Sequence, residues 1–324
     1  MSSGDVLGLR GRSVIITGAG RGVGRVHALA LAELGVHVIA NDIGPGDGGR
    51  GGTAADEVVA EIEESGGTAS ACPVDISTWA GAQELVTFAV EKAGRLDGVV
   101  NNAGIIDHTP LADLEEQTFN KVVGVHVGGS AACTVAALRY WRASGHSLEH
   151  GGSIVNTISE SMFVAQPGLT SYMVAKSAIA ELTLVTSREA RAIGVRANAY
   201  GPRGRTRMSP DAGEGLSDSD LDGTLRDPGN ATPLVAWLLS PQSAHVTGQL
   251  FYMLGGAVGR IEPWVPEPLV WPYKGIRFEY DEIGPAINSH VFGSRYPERA
   301  LVDPHNPDAG FKRLRTRDIR LPEA

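Results

Sequence analysis

Tyr172 and Lys176 stand four residues apart in a stretch, Ser171-Tyr-Met-Val-Ala-Lys176, that reads as helical. On a helix, positions i and i+4 share a face. The pair therefore puts a phenol beside a permanent cation. Such a neighbour favours the phenolate and should draw the tyrosine pKa down from about 10 toward the working pH. A general acid/base for an alcohol or ketone needs such a group. Tyr and Lys also fall four apart by chance in many helices, so the pair gains meaning only from a cofactor site around it.

The elements upstream supply one. Ser13-Val-Ile-Ile-Thr17 is a β-branched run that reads as a buried strand. It runs into Gly18-Ala-Gly20-Arg21-Gly22-Val23-Gly24, and a helical pattern follows through Leu34. Strand, glycine turn and helix in that order aim backbone N–H groups at a pyrophosphate. A turn that merely lets strand and helix pack is the plainer alternative. Val36 to Ala40 is the next strand, ending at Asn41-Asp42. An acid about 20 residues past the glycine turn can accept hydrogen bonds from the adenosine ribose hydroxyls. It would repel a 2′-phosphate, which favours NAD over NADP, although Arg21 could help hold such a phosphate. An ordinary strand-end residue is the other reading of Asp42.

A glycine-rich insertion, 43–52, precedes a helix over Thr53 to Ser65. Further strands are expected at Ala69–Val74, Leu96–Val100, Ser153–Ile158, Val195–Tyr200 and Gln249–Met253, and helices at Trp79–Ala93, Phe119–Arg142, Thr170–Ile193 and Thr232–Leu239. This alternation implies βαβ units: an α/β, doubly wound Rossmann-type sheet of about seven parallel strands, with helices on both faces. Ligands of such sheets bind at the carboxyl ends of the strands, where Gly18, Asp42, Asp75 and Asn102 fall. Ser209 to Asp227 reads as a lid or flexible loop. From Gly259 on, recurrent prolines and aromatics suggest an irregular C-terminal extension packed on its own or a neighbouring subunit, giving domains at 1–258 and 259–324.

Bulk properties exclude some classes. The 324 residues carry a net charge of −9, which argues against a nucleic-acid binder. No apolar run reaches the ~18 residues of a membrane span, and Met1 to Arg12 shows no apolar secretory core. Cys72 and Cys133 have no CxxC partner and fit reduced thiols rather than a metal site, so a cytoplasmic location is expected.

Taken together, Thr17-Gly-x-x-x-Gly-x-Gly24, Asp75, Asn101-Asn-Ala-Gly104, Ser159 and Tyr172-x-x-x-Lys176 resemble the short-chain dehydrogenases/reductases, in the family's order over roughly residues 8 to 256. Asn41-Asp-Ile-Gly44, Val125-His-Val127 and Thr206-Arg-Met208 resemble the (3R)-hydroxyacyl-CoA dehydrogenase type of multifunctional enzymes and its actinobacterial relatives. The resemblance implies a nicotinamide cofactor held by Gly18, Gly20, Arg21, Gly22, Val23 and Gly24, by Asp42, and by Asp75 and Ile76. It adds Asn102, Ala103 and Gly104, then Tyr172 and Lys176, and finally Pro202 and Thr206. It also implies a homotetramer or dimer.

Hydride transfer between nicotinamide and a secondary alcohol or ketone follows. Tyr172 would move the alcohol proton, Lys176 would lower its pKa and bind the nicotinamide ribose, and Ser159 would hydrogen-bond the reacting oxygen. His126 stands where the family has an asparagine that holds a relay water. It is either a relay to solvent or a structural histidine. The small-molecule substrate stays open between a 3-hydroxyacyl-CoA and a hydroxysteroid or terpene alcohol. Arg203, Arg205 and Arg207 either attract CoA phosphates or form a solvated turn. A non-catalytic NAD(H)-binding sensor or structural subunit is the rival class.

Overall fold

A computed structural model describes residues 5–46, 52–145, 151–163, 165–203, 223–262 and 283. The chain clusters into two compact units, Met1–Ile261 and Glu262–Ala324. The tail, the arginines at 205 and 207, Thr206 and most of the expected 209–227 lid lie outside the described residues.

The first unit is built on one eight-stranded sheet. Its strands are β1 (Ser13–Thr17), β2 (His37–Asn41), β3 (Thr68–Ala71), β4 (Gly98–Asn101), β5 (Ser153–Thr157), β6 (Arg196–Gly201), β7 (Leu250–Leu254) and β8 (Ala257–Ile261). They lie in the order β3-β2-β1-β4-β5-β6-β7-β8. All pairs are parallel except β7 with β8. The order reverses between β1 and β4, the crevice where doubly wound sheets bind ligands. Strand β8 was not expected from sequence. Gly255-Gly256 joins it to β7 as a two-residue hairpin, and Gly255 takes φ +56. Its residues are mostly exposed, so no apolar alternation marks it.

Both faces of the sheet are buried, and period-two alternation divides them. Val14, Ile16, Val38, Ala40, Val100 and Val155 join one core cluster, with side chains of α1 (Gly22–Glu33), α2 (Ala54–Glu64) and α7 (Thr232–Leu239). Their neighbours Ile15, Ile39, Val99 and Ile154 join the other, with α3 (Trp79–Ala93) and α5 (Gly129–Ala143). The remaining helices are α4 (Glu116–Val123) and α6 (Thr170–Glu189), and Ile179 and Ala180 of α6 pack on Ile158, Ala199 and Leu250.

The single long helix expected over Phe119–Arg142 starts earlier and changes pitch. A π-turn, Gly124–Gly128, lies between α4 and α5, and His126 is at its centre. Single-turn π insertions in helices recur at functional sites. The whole stretch Glu116–Ala143 is long and apolar enough to cross a membrane by length and composition, contrary to the apolar-run expectation. Half of its most apolar window is buried within this unit, where α5 packs against α3.

Candidate active site

The carboxyl ends of β1, β2 and β4 meet at the glycine turn. A Cβ on Gly24 would lie 2.1 Å from the Gly18 carbonyl oxygen and 2.5 Å from Asn102 Nδ2, so only glycine lets the first turn of α1 close on the strand end. Asn102 braces that turn from β4: its Nδ2 donates to the carbonyls of Thr17 (3.0 Å) and Gly18 (3.2 Å). The Asn102 and Ala103 N–H groups both donate to Thr17 Oγ1 at 3.0 Å. Helix α1 begins without a side-chain cap and without an acid in its first turn. Its N–H groups and positive dipole end are suited to an anion.

Asp42 leaves the end of β2 beside this turn. Its Oδ2 accepts the Gly20 N–H (3.1 Å) and its Oδ1 the Gly44 N–H (2.8 Å), leaving lone pairs on both oxygens. Arg21 donates from Nη2 to the Pro45 carbonyl, which turns it toward the loop after Asp42. Val23 is half-buried in the first turn of α1 with Gly22. Asp75 is exposed and accepts the Ser77 N–H (2.9 Å), whereas Ile76 is a core side chain under Gly129. Pro202 follows β6, half-buried. An uncapped helix start, a turn in which a Cβ at Gly24 would strike the Gly18 carbonyl, and an acid beside it fit a dinucleotide.

Across the switch point, Ser159, Tyr172, Lys176 and His126 come together. Ser159 Oγ accepts the Ser161 N–H at 3.2 Å, and its hydroxyl stands near enough to the Tyr172 phenol to favour the phenolate. Lys176 is buried and donates from Nζ to the Thr157 carbonyl at 2.7 Å, with Nζ 5.6 Å from the centre of the Tyr172 ring. The His126 ring meets the Tyr172 ring edge-on, 5.4 Å between centres and 83° between planes.

The expected lowering of the Tyr172 pKa is corrected by this geometry. Burial raises it above 10, and the hydrogen bond from Ser159 only partly opposes that. Nor is Lys176 a permanent cation: removal from water brings its pKa down to about 7. Its Nζ is spent on a carbonyl rather than on the phenol oxygen, so desolvation outweighs attraction between the two.

His126 is fully buried. Its Nε2 lies 2.7 Å from the Ile105 carbonyl oxygen and 3.0 Å from the Ile105 N–H, so either tautomer finds one partner there. Among the described residues its Nδ1 has no hydrogen-bond partner. Gly104 makes room for the ring: a Cβ there would lie 2.3 Å from His126 Cε1. Burial, then the Lys176 charge, push the His126 pKa down to about 3, so the ring is neutral.

Three partners were not legible in the sequence. Thr157 and Ile105 act through backbone atoms, which no residue type announces. Glu160 forms an ion pair with Arg203 (3.3 Å) across the ends of β5 and β6, so Arg203 is not a charge simply awaiting a phosphate. Among the described residues no His, Cys, Asp and Glu group could hold a metal, and Cys72 and Cys133 are free and buried.

A doubly wound sheet with a phosphate cradle on one side of its switch point and a Ser–Tyr–Lys set on the other defines a nucleotide-dependent oxidoreductase. The chain belongs to the short-chain dehydrogenases, whose family model it matches over residues 12–214. It is 37% identical over 306 residues to the hydroxyacyl-CoA dehydrogenase ChsB1 of Mycobacterium tuberculosis, covering 90% of this chain and 92% of that one. It is 35% identical to the mouse peroxisomal multifunctional enzyme type 2, over 78% of this chain but only 32% of that longer protein. A crystal structure of a short chain dehydrogenase from Mycobacterium avium matches with a TM-score of 0.80 and 38% identity, covering 90% of this chain and 98% of that one.

Proposed function

We propose that this oxidoreductase interconverts a 3-hydroxyacyl-CoA and the corresponding 3-ketone with NAD as cofactor. The observation that carries the chemistry is buried Tyr172 standing between Ser159 and Lys176, whose Nζ lies 5.6 Å from its ring centre, at the same sheet edge as the glycine cradle. The substrate class rests on the relatives named for hydroxyacyl-CoA and multifunctional peroxisomal enzymes. The choice of NAD rests on Asp42, whose carboxylate would accept ribose hydroxyls and repel a 2′-phosphate. Asp75, Ile76, Ala103, Pro202 and Thr206 complete the proposed cofactor contacts.

Bound nicotinamide supplies the hydride acceptor or donor. The chain handles the proton. In oxidation, Tyr172 acts as phenolate: its own proton, held more tightly because the phenol is buried, first leaves toward solvent by way of Lys176, and the phenolate then takes the hydroxyl proton as the C–H electron pair departs and the carbonyl forms. In reduction, the Tyr172 phenol returns that proton to the oxygen. Ser159 donates to the reacting oxygen as charge develops on it. Lys176 orients the Tyr172 side and reaches the nicotinamide ribose. His126, neutral at working pH because its pKa is pushed down to about 3, would hold water at Nδ1 and connect Lys176 to solvent without itself becoming charged. The active unit is a dimer or tetramer of this chain.

Purified protein should form NADH from a (3R)-hydroxyacyl-CoA faster than from hydroxysteroids or terpene alcohols, and faster with NAD than with NADP. Turnover confined to hydroxysteroids would replace the substrate, and a preference for NADP would overturn the role of Asp42.

A further inference from the structure

Behind Lys176, on the far side of Thr157, a second polar cluster is sealed in the core. Thr157 Oγ1 lies 3.1 Å from the Tyr200 hydroxyl, and that hydroxyl lies 2.7 Å from His27 Nε2. His27 Nδ1 lies 2.8 Å from Thr232 Oγ1. Tyr200 and His27 are fully buried, Thr157 and Thr232 nearly so. The two rings meet edge-on, 5.6 Å between centres. Burial brings the His27 pKa down to about 3, so the chain of bonds is neutral.

A neutral histidine bonded at both nitrogens is one donor and one acceptor. The four groups therefore run in a single direction: Thr157 hydroxyl to Tyr200 hydroxyl to His27 Nε2, then His27 Nδ1–H to Thr232, or the reverse throughout. Every member is satisfied only by the others, and in a low-dielectric core such a set is rigid. Its placement is what gives it a role. One end is Thr157, whose own carbonyl holds Lys176 at 2.7 Å. His27 belongs to the second turn of α1, the helix that starts at the phosphate cradle, and Thr232 opens α7. A carbonyl carries no proton, so the cluster is not a route for protons out of the site.

We infer that Tyr200, His27 and Thr232 are positioning residues: they fix the end of β5 so that the Thr157 carbonyl holds Lys176 in register with the cradle on α1. The inference rests on the acid/base reading of Tyr172 and Lys176. The titratable groups near Lys176 are Tyr172 on its own helix and His126 on the π-turn, while Tyr200 and His27 reach it only through Thr157.

Tyr200→Phe keeps the ring and removes the hydroxyl; Thr157→Val keeps the shape and removes the other end of that bond. Each should lower kcat by about tenfold, below the roughly hundredfold cost of a full ångström of misplacement. The double variant should be no worse than either single one, because both break the same link. The independent readout is the NMR titration of the Lys176 ε-methylene, identified by its loss in Lys176→Met. It should titrate near 7 in the natural protein and move toward 10.5 in both single variants as the loosened ammonium regains water and the desolvation that lowers its pKa is relieved. An unmoved Lys176 titration overturns the inference, even if Tm falls. A shifted titration in a protein that forms no NADH from any alcohol would instead sink the proposed function and leave the positioning intact.

Discussion

Two histidines lie on opposite sides of the same strand ends, both fully buried and both held near a pKa of 3. Their hydrogen bonding differs. His27 uses both ring nitrogens on protein hydroxyls and closes a set that has no open valence along the ring. His126 uses one nitrogen and leaves Nδ1 without a partner among the described residues. Burial alone therefore does not tell a structural histidine from one that serves the site. The distinction lies in the unfilled bond, because an unpartnered buried nitrogen costs stability unless something else occupies it. On the proposed reading, function sits on the incompletely satisfied side of β5 and rigidity on the satisfied side.

The largest test of that division is Tyr172→Phe. Removing the group that moves the proton should cost about a hundred- to ten-thousandfold in kcat while NADH binding, followed by fluorescence, stays near its natural value. Near-full turnover would move the acid/base elsewhere. Lys176→Met comes next, and its signature is in stability as well as rate. The folded pKa of about 7 lies below the ordinary 10.5, so between those values the unfolded chain keeps a proton that the folded chain has released. Stability consequently rises with pH through that window, and below 7 the fold carries the full cost of a buried charge. The variant should gain on the order of a few kcal/mol at pH 6, where that cost is complete, and the gain should vanish above pH 10.5. Denaturant melts at several pH values measure it; a pH-independent difference would mean Lys176 is not desolvated.

Gly104→Ala probes the open side by packing. Its methyl group would sit 2.3 Å from Cε1 of the His126 ring, which is fully buried and held at Nε2 by Ile105. A loss of about 1–3 kcal/mol is expected, the range for overpacking a filled core. Turnover should fall with it. Unchanged stability and turnover would show that the ring moves aside freely and is not fixed by Ile105.

Much of this was readable from spacing. Val14, Ile15 and Ile16 alternate between two cores, and a run of β-branched residues ending in glycine is enough to mark such a strand. The glycine turn, Asp42, Ser159, Tyr172 and Lys176 are side chains or bare backbones whose type carries their chemistry. What was not readable has a common cause. The hold on Lys176 is a carbonyl, the hold on His126 is the backbone of Ile105, and the His27–Tyr200 contact joins residues far apart in sequence. The sign of the Tyr172 shift was also beyond reach, because proximity on a helix face says nothing of how much water each group loses. Strand β8 is different: Gly255-Gly256 is a recognisable hairpin turn, but its exposed partner strand lacks the alternation that would have named it.

The finest test compares the two histidines in acid. Each folded pKa, about 3, lies below the unfolded 6.5, so on acidification the unfolded chain takes up protons first. The stability these groups contribute is complete above 6.5 and is lost as pH falls from there toward 3, at up to about 1.4 kcal/mol per pH unit for each. His27→Phe and His126→Asn should flatten the acid slope of the melting curve by similar amounts, since both folded pKa values are about 3 although the Lys176 charge contributes to that of His126 alone. They should part company in turnover. An asparagine at 126 still offers a polar side chain where the open Nδ1 lies and should keep kcat within about tenfold, with the solvent isotope effect altered because a different group now faces the water. His27→Phe should leave that isotope effect alone. A natural acid slope in His126→Asn would show that the ring already protonates within the fold, and would remove the neutral, one-sided hydrogen bonding on which its role depends.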